Sequence, residues 1–167
     1  MSTSDNQPTL LKAQVRDVTC GERVRIVEPA NVYGCTLGND CFVGPFVEIQ
    51  KGVTIGTRTK VQSHAFICEL VEIGDDCFIG HGVMFTNDLF ADGGPARGNR
   101  DLWKSTRIGN RVSIGSNATL LPIAVCDDVV IGAGAVVTRD ITQPGIYSGN
   151  PARLMRKLSV DRDSQSE

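Results

Sequence analysis

The stretch LGNDCFVGPFVEIQKGVTI, from Leu37 to Ile55, decides the fold because an aliphatic residue returns at every sixth position. The register continues to Phe85, and its nine members are Leu37, Val43, Ile49, Ile55, Val61, Ile67, Ile73, Ile79 and Phe85. A period of six fits neither the turn of an α-helix nor the alternation of a long strand. It fits a chain that makes a short strand, turns a corner and repeats. The sequence therefore predicts an all-β fold, a parallel β-helix.

The repeat extends to both sides of this stretch. It fits from Cys20 onwards, is lost after Phe85 and returns at Ile108. Grouping the six-residue units in threes predicts about six coils, which begin at Cys20, Leu37, Ile55, Ile73, Ile108 and Val125. Two shortened units and the break after Phe85 then fall in the same third of the coil. We therefore expect the irregularities at one corner of a three-sided prism.

The ends of the chain and one insertion lie outside the repeat. Residues 1–14 are expected to form an arm that caps the β-helix, which is expected to span 15–142. Phe85 and Ile108 are 23 residues apart instead of six, so a long loop over 86–107 is predicted at a corner. Loops of this length in compact domains are usually functional. Residues 143–167 are expected to form a turn, a short helix with Pro151 at its first position, and a frayed tail.

Composition argues against several classes of function. The net charge is −2 and the pI about 5.7, so no nucleic-acid-binding surface is expected. We expect no membrane span and no signal peptide, because the required apolar runs are missing. Six cysteines are scattered without a C-x-x-C pair, and Cys41 and Cys77 occupy small inward positions of the repeat. This pattern indicates reduced structural thiols in a cytoplasmic protein, rather than disulfides or a metal site.

Two sets of motifs resemble a known family. The run VVTRDI (136–141) followed by GNPAR (149–153) looks like the ending of many acetyl-CoA-dependent hexapeptide-repeat acyltransferases. Three further runs are FVEIQKG (46–52), VQSHAFICE (61–69) and FIGHGVMFTN (78–87). They resemble N-acetyltransferases that act on the 3-amino group of nucleotide-linked amino sugars. Within that group the sequence resembles the UDP-2-acetamido-3-amino-2,3-dideoxyglucuronate enzymes of O-antigen and surface-polysaccharide biosynthesis, and enzymes for dTDP-3-amino-3,6-dideoxyhexoses are near neighbours.

The resemblance covers residues 15–158 approximately and implies a fold, a co-substrate and an assembly. It implies a left-handed parallel β-helix, acetyl-CoA as co-substrate with no required metal, and a homotrimer whose sites lie between subunits. It also implies that Asn87 is a catalytic residue beside the acceptor amine, where its amide oxygen can accept an N–H bond. The alternative is an asparagine that opens the loop by bonding its own backbone.

The chain contains two histidines, His64 and His81, which fall on the same side of consecutive coils. His81 is a candidate catalytic base, or an acceptor that orients the amine. The leaving CoA thiolate could take the proton instead, and a corner histidine bonded to a backbone carbonyl is the structural alternative. His64 is a candidate substrate contact. Glu69 and Gln50 are further candidates, although solvated coil residues are the favoured interpretation for these two.

Basic and small residues complete the predicted site. In the insertion, Arg97, Arg100 and Lys104 are candidates for the pyrophosphate or carboxylate of a sugar nucleotide. The later coils supply the candidates for CoA, which are Ser116 and Gly134 for the pantetheine, and Arg139, Arg153, Arg156 and Lys157 for the phosphates. Arg156 and Lys157 could instead complement the C-terminus of the predicted helix.

Other functions of this fold suit the sequence less well. A β-helical carbonic anhydrase needs more imidazole ligands than two histidines supply. An ice-binding prism carries regular threonine ladders, whereas outward positions here hold charged residues such as Glu48 and Lys60. A non-catalytic scaffold is the alternative class, although it would not need the Gly- and Arg-rich insertion. The sequence leaves open the nucleotide, the sugar and whether the acceptor carries a carboxylate.

Overall fold

The computed structural model describes residues 12–158, which form a column of short strands with three faces. Face A contains β1 (Val15–Arg16), β4 (Asn31–Tyr33), β7 (Glu48–Ile49), β10 (Phe66–Ile67), β13 (Met84–Phe85), β16 (Thr119–Leu120) and β19 (Val136–Val137). Face B contains β2 (Thr19–Cys20), β5 (Thr36–Leu37), β8 (Thr54–Ile55), β11 (Val71–Ile73), β14 (Thr106–Ile108) and β17 (Ala124–Val125). Face C contains β3 (Arg25–Ile26), β6 (Phe42–Val43), β9 (Lys60–Val61), β12 (Phe78–Ile79), β15 (Ser113–Ile114), β18 (Val129–Ile131), β20 (Gly145–Ser148) and β21 (Arg153–Arg156).

Every pair of neighbouring strands is parallel except β20 and β21, and the chain passes from face A to B to C in each coil. We call the turns between faces the A–B, B–C and C–A corners. The predicted parallel β-helix is confirmed, and the stacked three-strand coils are those of the left-handed type. Face A has seven strands among the described residues, so there are about seven turns rather than six. The additional strands are β1 at one end and β20 at the other.

The six-residue register forms the core. All nine predicted anchors from Leu37 to Phe85 are at most 4% exposed. Each such aliphatic side chain contributes about 1.5–3 kcal/mol when fully buried. Glycine follows an anchor where the next coil approaches closely, since a Cβ on Gly38 would lie 2.7 Å from the backbone nitrogen of Thr57. The repeat therefore specifies both the apolar interior and the tight stacking of the coils.

A second column of inward-facing side chains lies beside the B–C corner. These side chains donate hydrogen bonds to the backbone carbonyl oxygens of that corner. Cys41 donates its S–H to Gly56 O at 3.0 Å, and Cys77 donates to Gly109 O at 3.1 Å. Thr59, between them in the stack, donates to Gly74 O at 2.9 Å. The inward placement predicted for Cys41 and Cys77 is confirmed, and all six cysteines are free thiols.

Charged residues of alternating sign form a column on the outer surface of the B–C corner, with one residue in each coil. They form three bidentate pairs, which are Arg23–Asp40, Arg58–Asp76 and Arg111–Asp128, with N–O distances between 2.6 and 2.9 Å. The Arg58 guanidinium lowers the pKa of the Asp76 carboxyl, and Arg23 lowers the pKa of Asp40 in the same way. This ladder links successive coils from the solvent side.

The prediction of a short helix near the C-terminus is wrong. Arg153–Arg156 is a strand that pairs antiparallel with Gly145–Ser148. All four residues of Arg153–Arg156 are exposed, so a helix there would have no apolar face to bury, and one turn of helix is unstable alone. The edge of face C instead offers unpaired backbone groups, which the segment satisfies.

The insertion leaves the column after β13 and returns at β14. It is irregular from 86 to 105 apart from a short 3₁₀ turn at Arg100–Leu102. The predicted loop over 86–107 is therefore two residues too long, because Thr106–Ile108 already pairs with Val71–Ile73. Most of the predicted N-terminal arm (residues 1–11) and the predicted frayed tail (159–167) lie outside the described residues. No helix within 12–158 is long and apolar enough to cross a bilayer.

Candidate functional site

Asn87 is the second residue of the insertion at the A–B corner, two positions after the end of β13. Its side-chain Nδ2 donates to the carbonyl oxygen of Glu69, 3.2 Å away in the preceding coil. A carbonyl oxygen only accepts, so the amide nitrogen faces Glu69 and the amide oxygen faces away. None of the residues 12–158 donates a hydrogen bond to this Oδ1. Asn87 therefore presents one fixed, unoccupied acceptor at the base of the loop.

Gln50, Glu69 and Asn87 lie in successive coils at this corner and are linked to one another. Gln50 Oε1 accepts from the backbone nitrogen of Glu69 at 3.3 Å, and its Nε2 donates to Glu48 at 2.9 Å. Tyr33 stands one coil further down at the same corner. Burial, and then the negative charges of Glu48 and Glu69, raise the pKa of its phenol. The structure thus brings together three of the predicted residues in one polar strip.

The carboxylate of Glu69 is held by the insertion. Arg100 Nη2 lies 2.7 and 2.6 Å from its two oxygens, and the Glu69 side chain is only 18% exposed. Arg100 also lies over the ring of Trp103, 5.5 Å from its centre. The predicted role of Glu69 as a substrate contact stays a prediction, but its carboxylate already has a protein partner. The Glu69–Arg100 pair attaches the loop to the column.

Asp88 organises the next part of the loop. Its two carboxylate oxygens accept from the backbone nitrogens of Phe90 and Ala96, at 2.9 and 2.7 Å. The base of the loop is closed by a 2.9 Å bond from Lys104 N to Asn87 O. The side chains of Lys104 and Arg97 are exposed, and within the described chain neither forms a hydrogen bond or ion pair. Both are therefore open to an anionic ligand, as their predicted role requires.

The two imidazoles lie at a different corner. His81 is exposed at the C–A corner, where its Nδ1 lies 2.8 Å from the hydroxyl oxygen of Ser63 in the preceding coil. His64 follows Ser63 with φ of 64°, and its ring stacks on Phe46 at 4.9 Å between centres. The prediction that both imidazoles share one side of consecutive coils is confirmed. Each ring is held by a neighbour in the coil below.

Ser116 and Gly134 continue this corner above His81. Asn117 N donates to His81 O at 2.8 Å, and Gly134 N donates to Ser116 O at 2.9 Å. The candidate pantetheine contacts therefore stack directly on the imidazole corner. The candidate phosphate contacts are further apart, since exposed Arg139 lies at the A–B corner whereas exposed Arg153 and Lys157 belong to the C-terminal hairpin and its continuation.

The predicted catalytic pair is not in contact within one chain. His81 precedes β13 and Asn87 follows it, so the two stand at opposite edges of face A. The outward side chains between them are Met84 and, in the neighbouring strand, Phe66. The structure alone places them in two separate groups.

Two contacts in these groups were not predicted from the sequence, namely Ser63 with His81 and Arg100 with Glu69. Ser63 stands 18 residues before His81, which is one coil, so the repeat length alone could have identified the pair. The partnership of Arg100 with Glu69 had no such signal, because the insertion carries no periodicity. Within residues 12–158, no group of three or more His, Cys, Asp or Glu is arranged to hold a metal ion.

Two family models match parts of the chain. The bacterial transferase hexapeptide model (six repeats) matches residues 34–69, and the hexapeptide repeat of succinyl-transferase matches residues 105–139. The bifunctional protein GlmU of Clostridium acetobutylicum is 32% identical over 155 residues, which are 92% of this chain and 30% of that protein. The chain thus spans about a third of the length of the curated relatives it matches.

Solved structures share the fold. A galactoside acetyltransferase in complex with coenzyme A is 25% identical with a TM-score of 0.61, over 86% of this chain and 66% of that one. The perosamine N-acetyltransferase of Caulobacter crescentus, in complex with CoA and GDP-perosamine, is 20% identical with a TM-score of 0.62. That match covers 87% of this chain and 58% of the other. The counted repeat, the stacked coils and both family models agree that residues 34–69 and 105–139 carry hexapeptide repeats of the kind found in bacterial transferases.

Proposed function

We propose that this chain is an acetyl-CoA-dependent N-acetyltransferase that acetylates the 3-amino group of a nucleotide-linked amino sugar. UDP-2-acetamido-3-amino-2,3-dideoxyglucuronate is the first candidate acceptor, and a dTDP-3-amino-3,6-dideoxyhexose is the second. The reaction would serve O-antigen or surface-polysaccharide biosynthesis in the cytoplasm. The observation that carries this proposal is the orientation of Asn87, whose amide nitrogen is bonded to Glu69 O and whose amide oxygen therefore faces away from Glu69.

As a hydrogen-bond acceptor, Asn87 Oδ1 suits a sugar amine better than a sugar hydroxyl. A sugar amine has two N–H bonds, so one can be donated to Asn87 Oδ1 while the lone pair points towards a thioester carbonyl. An amine of ordinary basicity, with a pKa of about 8, has a useful neutral fraction at pH 7. The matches to the hexapeptide-repeat transferase models and the galactoside acetyltransferase solved with coenzyme A support acetyl-CoA as the donor.

The surrounding charges suit an anionic acceptor. Arg97 and Lys104 are exposed on the insertion that contains Asn87 and are open to phosphate or carboxylate oxygens. In a homotrimer, the A–B corner of one subunit would face the C–A corner of the next, which would bring Asn87 towards His81, Ser116 and Gly134 of its neighbour. A non-catalytic scaffold is the alternative, and an insertion that Asp88 and Arg100 hold in a defined shape argues against it.

The direct test is an acetyl-transfer assay. Purified protein is incubated with acetyl-CoA and a panel of UDP- and dTDP-linked 3-amino sugars, and CoA release is followed together with the mass of the acetylated sugar. Matched sugars with a 3-hydroxyl in place of the amine serve as controls. Turnover is expected only with the amines. Absence of turnover on every 3-amino sugar, or equal turnover on the hydroxyl controls, would contradict the proposal.

A further inference from the structure

We infer that Ser63 is a positioning residue for His81, which fixes the imidazole so that Nε2 is the nitrogen presented to the acceptor amine. This inference rests on the proposed N-acetyltransferase function, and it adds a specific residue and a specific atom to it. The observation behind it is the 2.8 Å separation between Ser63 Oγ and His81 Nδ1.

The two residues occupy equivalent places in successive coils. Lys60 pairs with Phe78 in register, so the residues three positions later, Ser63 and His81, lie one above the other at the C–A corner. Ser116 is the equivalent residue of the next coil, because Phe78 pairs with Ser113. The imidazole thus has a hydroxyl residue in the coil on either side, but of the described residues only Ser63 bonds to it.

The bond is not needed to hold the coils together. The backbone already links them at this corner, through Gly82 N to Ser63 O at 3.0 Å and Gln62 N to Ile79 O at 2.8 Å. The His81 side chain is exposed, so a purely structural bond there would add little to stability. Its larger effect is on the ring itself. An exposed imidazole without a partner rotates among several rotamers, whereas a partner on Nδ1 selects one.

A partner on Nδ1 also determines which nitrogen is free. Within residues 12–158, Nε2 of His81 has no hydrogen-bond partner. A serine hydroxyl can donate to Nδ1 or accept from it, and the arrangement we infer is the second one. Nδ1–H then donates to Ser63 Oγ, so Nε2 carries the lone pair and can accept a proton. The ring of His64 stacks on Phe46, and neither of its nitrogens has a hydrogen-bond partner among residues 12–158. Of the two histidines, His81 is therefore the one prepared as a base.

The reaction balances with this assignment. The amine nitrogen attacks the thioester carbonyl carbon, and the N–H proton passes to Nε2 as the C–N bond forms. The imidazolium then keeps its Nδ1–H bond to Ser63, while the C–S bond breaks. The proton on Nε2 finally passes to the departing thiolate, which gives the amide and free CoA and restores the neutral ring. Ser63 forms no covalent bond at any step.

The test combines spectroscopy with kinetics. With only two histidines in the chain, the ¹⁵N signals of each imidazole can be assigned by comparison with His64→Gln. Wild-type His81 in its neutral form is expected to show a protonated Nδ1 and an unprotonated Nε2. In Ser63→Ala the Nε2–H tautomer, which free histidine prefers, should become the major form. Ser63→Thr keeps the hydroxyl and should restore the wild-type signals.

The kinetic expectation is a fall in kcat of about tenfold or more for Ser63→Ala, with KM nearly unchanged and recovery in Ser63→Thr. Ser113→Ala removes an exposed serine from β15 and is the control that should leave both values unchanged. A wild-type tautomer in Ser63→Ala, or an unchanged kcat, would overturn the inference. A loss of thermal stability equal in Ser63→Ala and Ser63→Thr would also overturn it. If no sugar is turned over, the proposed function fails, and the ¹⁵N signals still decide whether Ser63 sets the tautomer.

Discussion

Arg100 Nη2 contacts both carboxylate oxygens of Glu69, and this ion pair ties the insertion to the A–B corner one coil below Asn87. The two N–O distances are 2.7 and 2.6 Å, and the carboxylate is mostly buried whereas the guanidinium is 58% exposed. The pair is therefore partly screened by solvent. Its position matters more than its strength, because it fixes the loop beside Asn87.

The first prediction concerns this pair. Arg100→Ala should increase local opening of the insertion, and tryptic cleavage after Arg97 and Lys104 should become faster by roughly two- to fivefold, which is the effect of a partly exposed pair. Arg107→Ala is the matched control, since it removes an exposed pair with Glu72 at 3.3 Å outside the loop. Equal cleavage rates in the two variants would show that the ion pair does not hold the loop.

The second prediction concerns Asn87. Asn87→Ala removes the acceptor proposed for the sugar amine, so kcat should fall by more than about tenfold, as for other residues that orient a reacting group. Asn99→Ala changes another asparagine of the same loop, whose side chain accepts only from Asp101 N. It should leave kcat within about twofold of the wild type. An unchanged rate in Asn87→Ala would remove this residue from the mechanism.

The sequence predicted the column well and the site only in part, for a physical reason. Stacking repeats the same contacts in every coil, so the six-residue register alone identified the anchors from Leu37 to Phe85 and the loop that follows them. A contact that occurs only once in the structure leaves no periodic pattern in the sequence. The Glu69–Arg100 pair joins residues 31 positions apart through a segment without periodicity. The strand Arg153–Arg156 depends on the free edge of face C, which local sequence does not reveal.

The third prediction compares two buried threonines. Thr59 and Thr106 are both 0% exposed, but Thr59 donates to Gly74 O and accepts from Cys77 N, whereas Thr106 Oγ1 has no partner among the described residues. Thr106→Val should raise the free energy of unfolding by about 1 kcal/mol, because an unpaired buried hydroxyl is replaced by a methyl group of the same size. Thr59→Val should lower it by about 1–3 kcal/mol. Thermal or denaturant unfolding of both variants measures this. A change of the same sign in both would contradict the assignment.

The fourth prediction concerns thiol reactivity. Burial raises the pKa of Cys35 and of Cys68 to about 11, and both are 3% exposed, whereas Cys20 is exposed. A disulfide reagent at pH 8 should therefore react fast with Cys20 in the native protein and with all six thiols only after unfolding. Cys20→Ser should abolish the fast phase. Persistence of that phase in Cys20→Ser would contradict this assignment and would point to another thiol, the half-buried Cys126 first.

The fifth prediction concerns acid stability of the charged ladder at the B–C corner. Arg58 lowers the pKa of Asp76 in the folded state, so the folded protein binds a proton less readily than the unfolded chain does. The stabilisation is therefore complete above the unfolded value of about 3.9 and is lost as the pH falls through the lower, folded value. In the wild type Tm should decline below about pH 4.

Asp76→Asn removes this titrating group and should give a flatter dependence of Tm on pH in the acid range, with a lower Tm at neutral pH because the charged bonds to Arg58 are lost. Asp92→Asn, in the insertion and away from the ladder, is the control and should follow the wild-type curve. High salt should weaken the difference between Asp76→Asn and wild type, since the pair is exposed. Parallel acid curves for all three proteins would mean that the ladder shapes the corner without contributing to its stability.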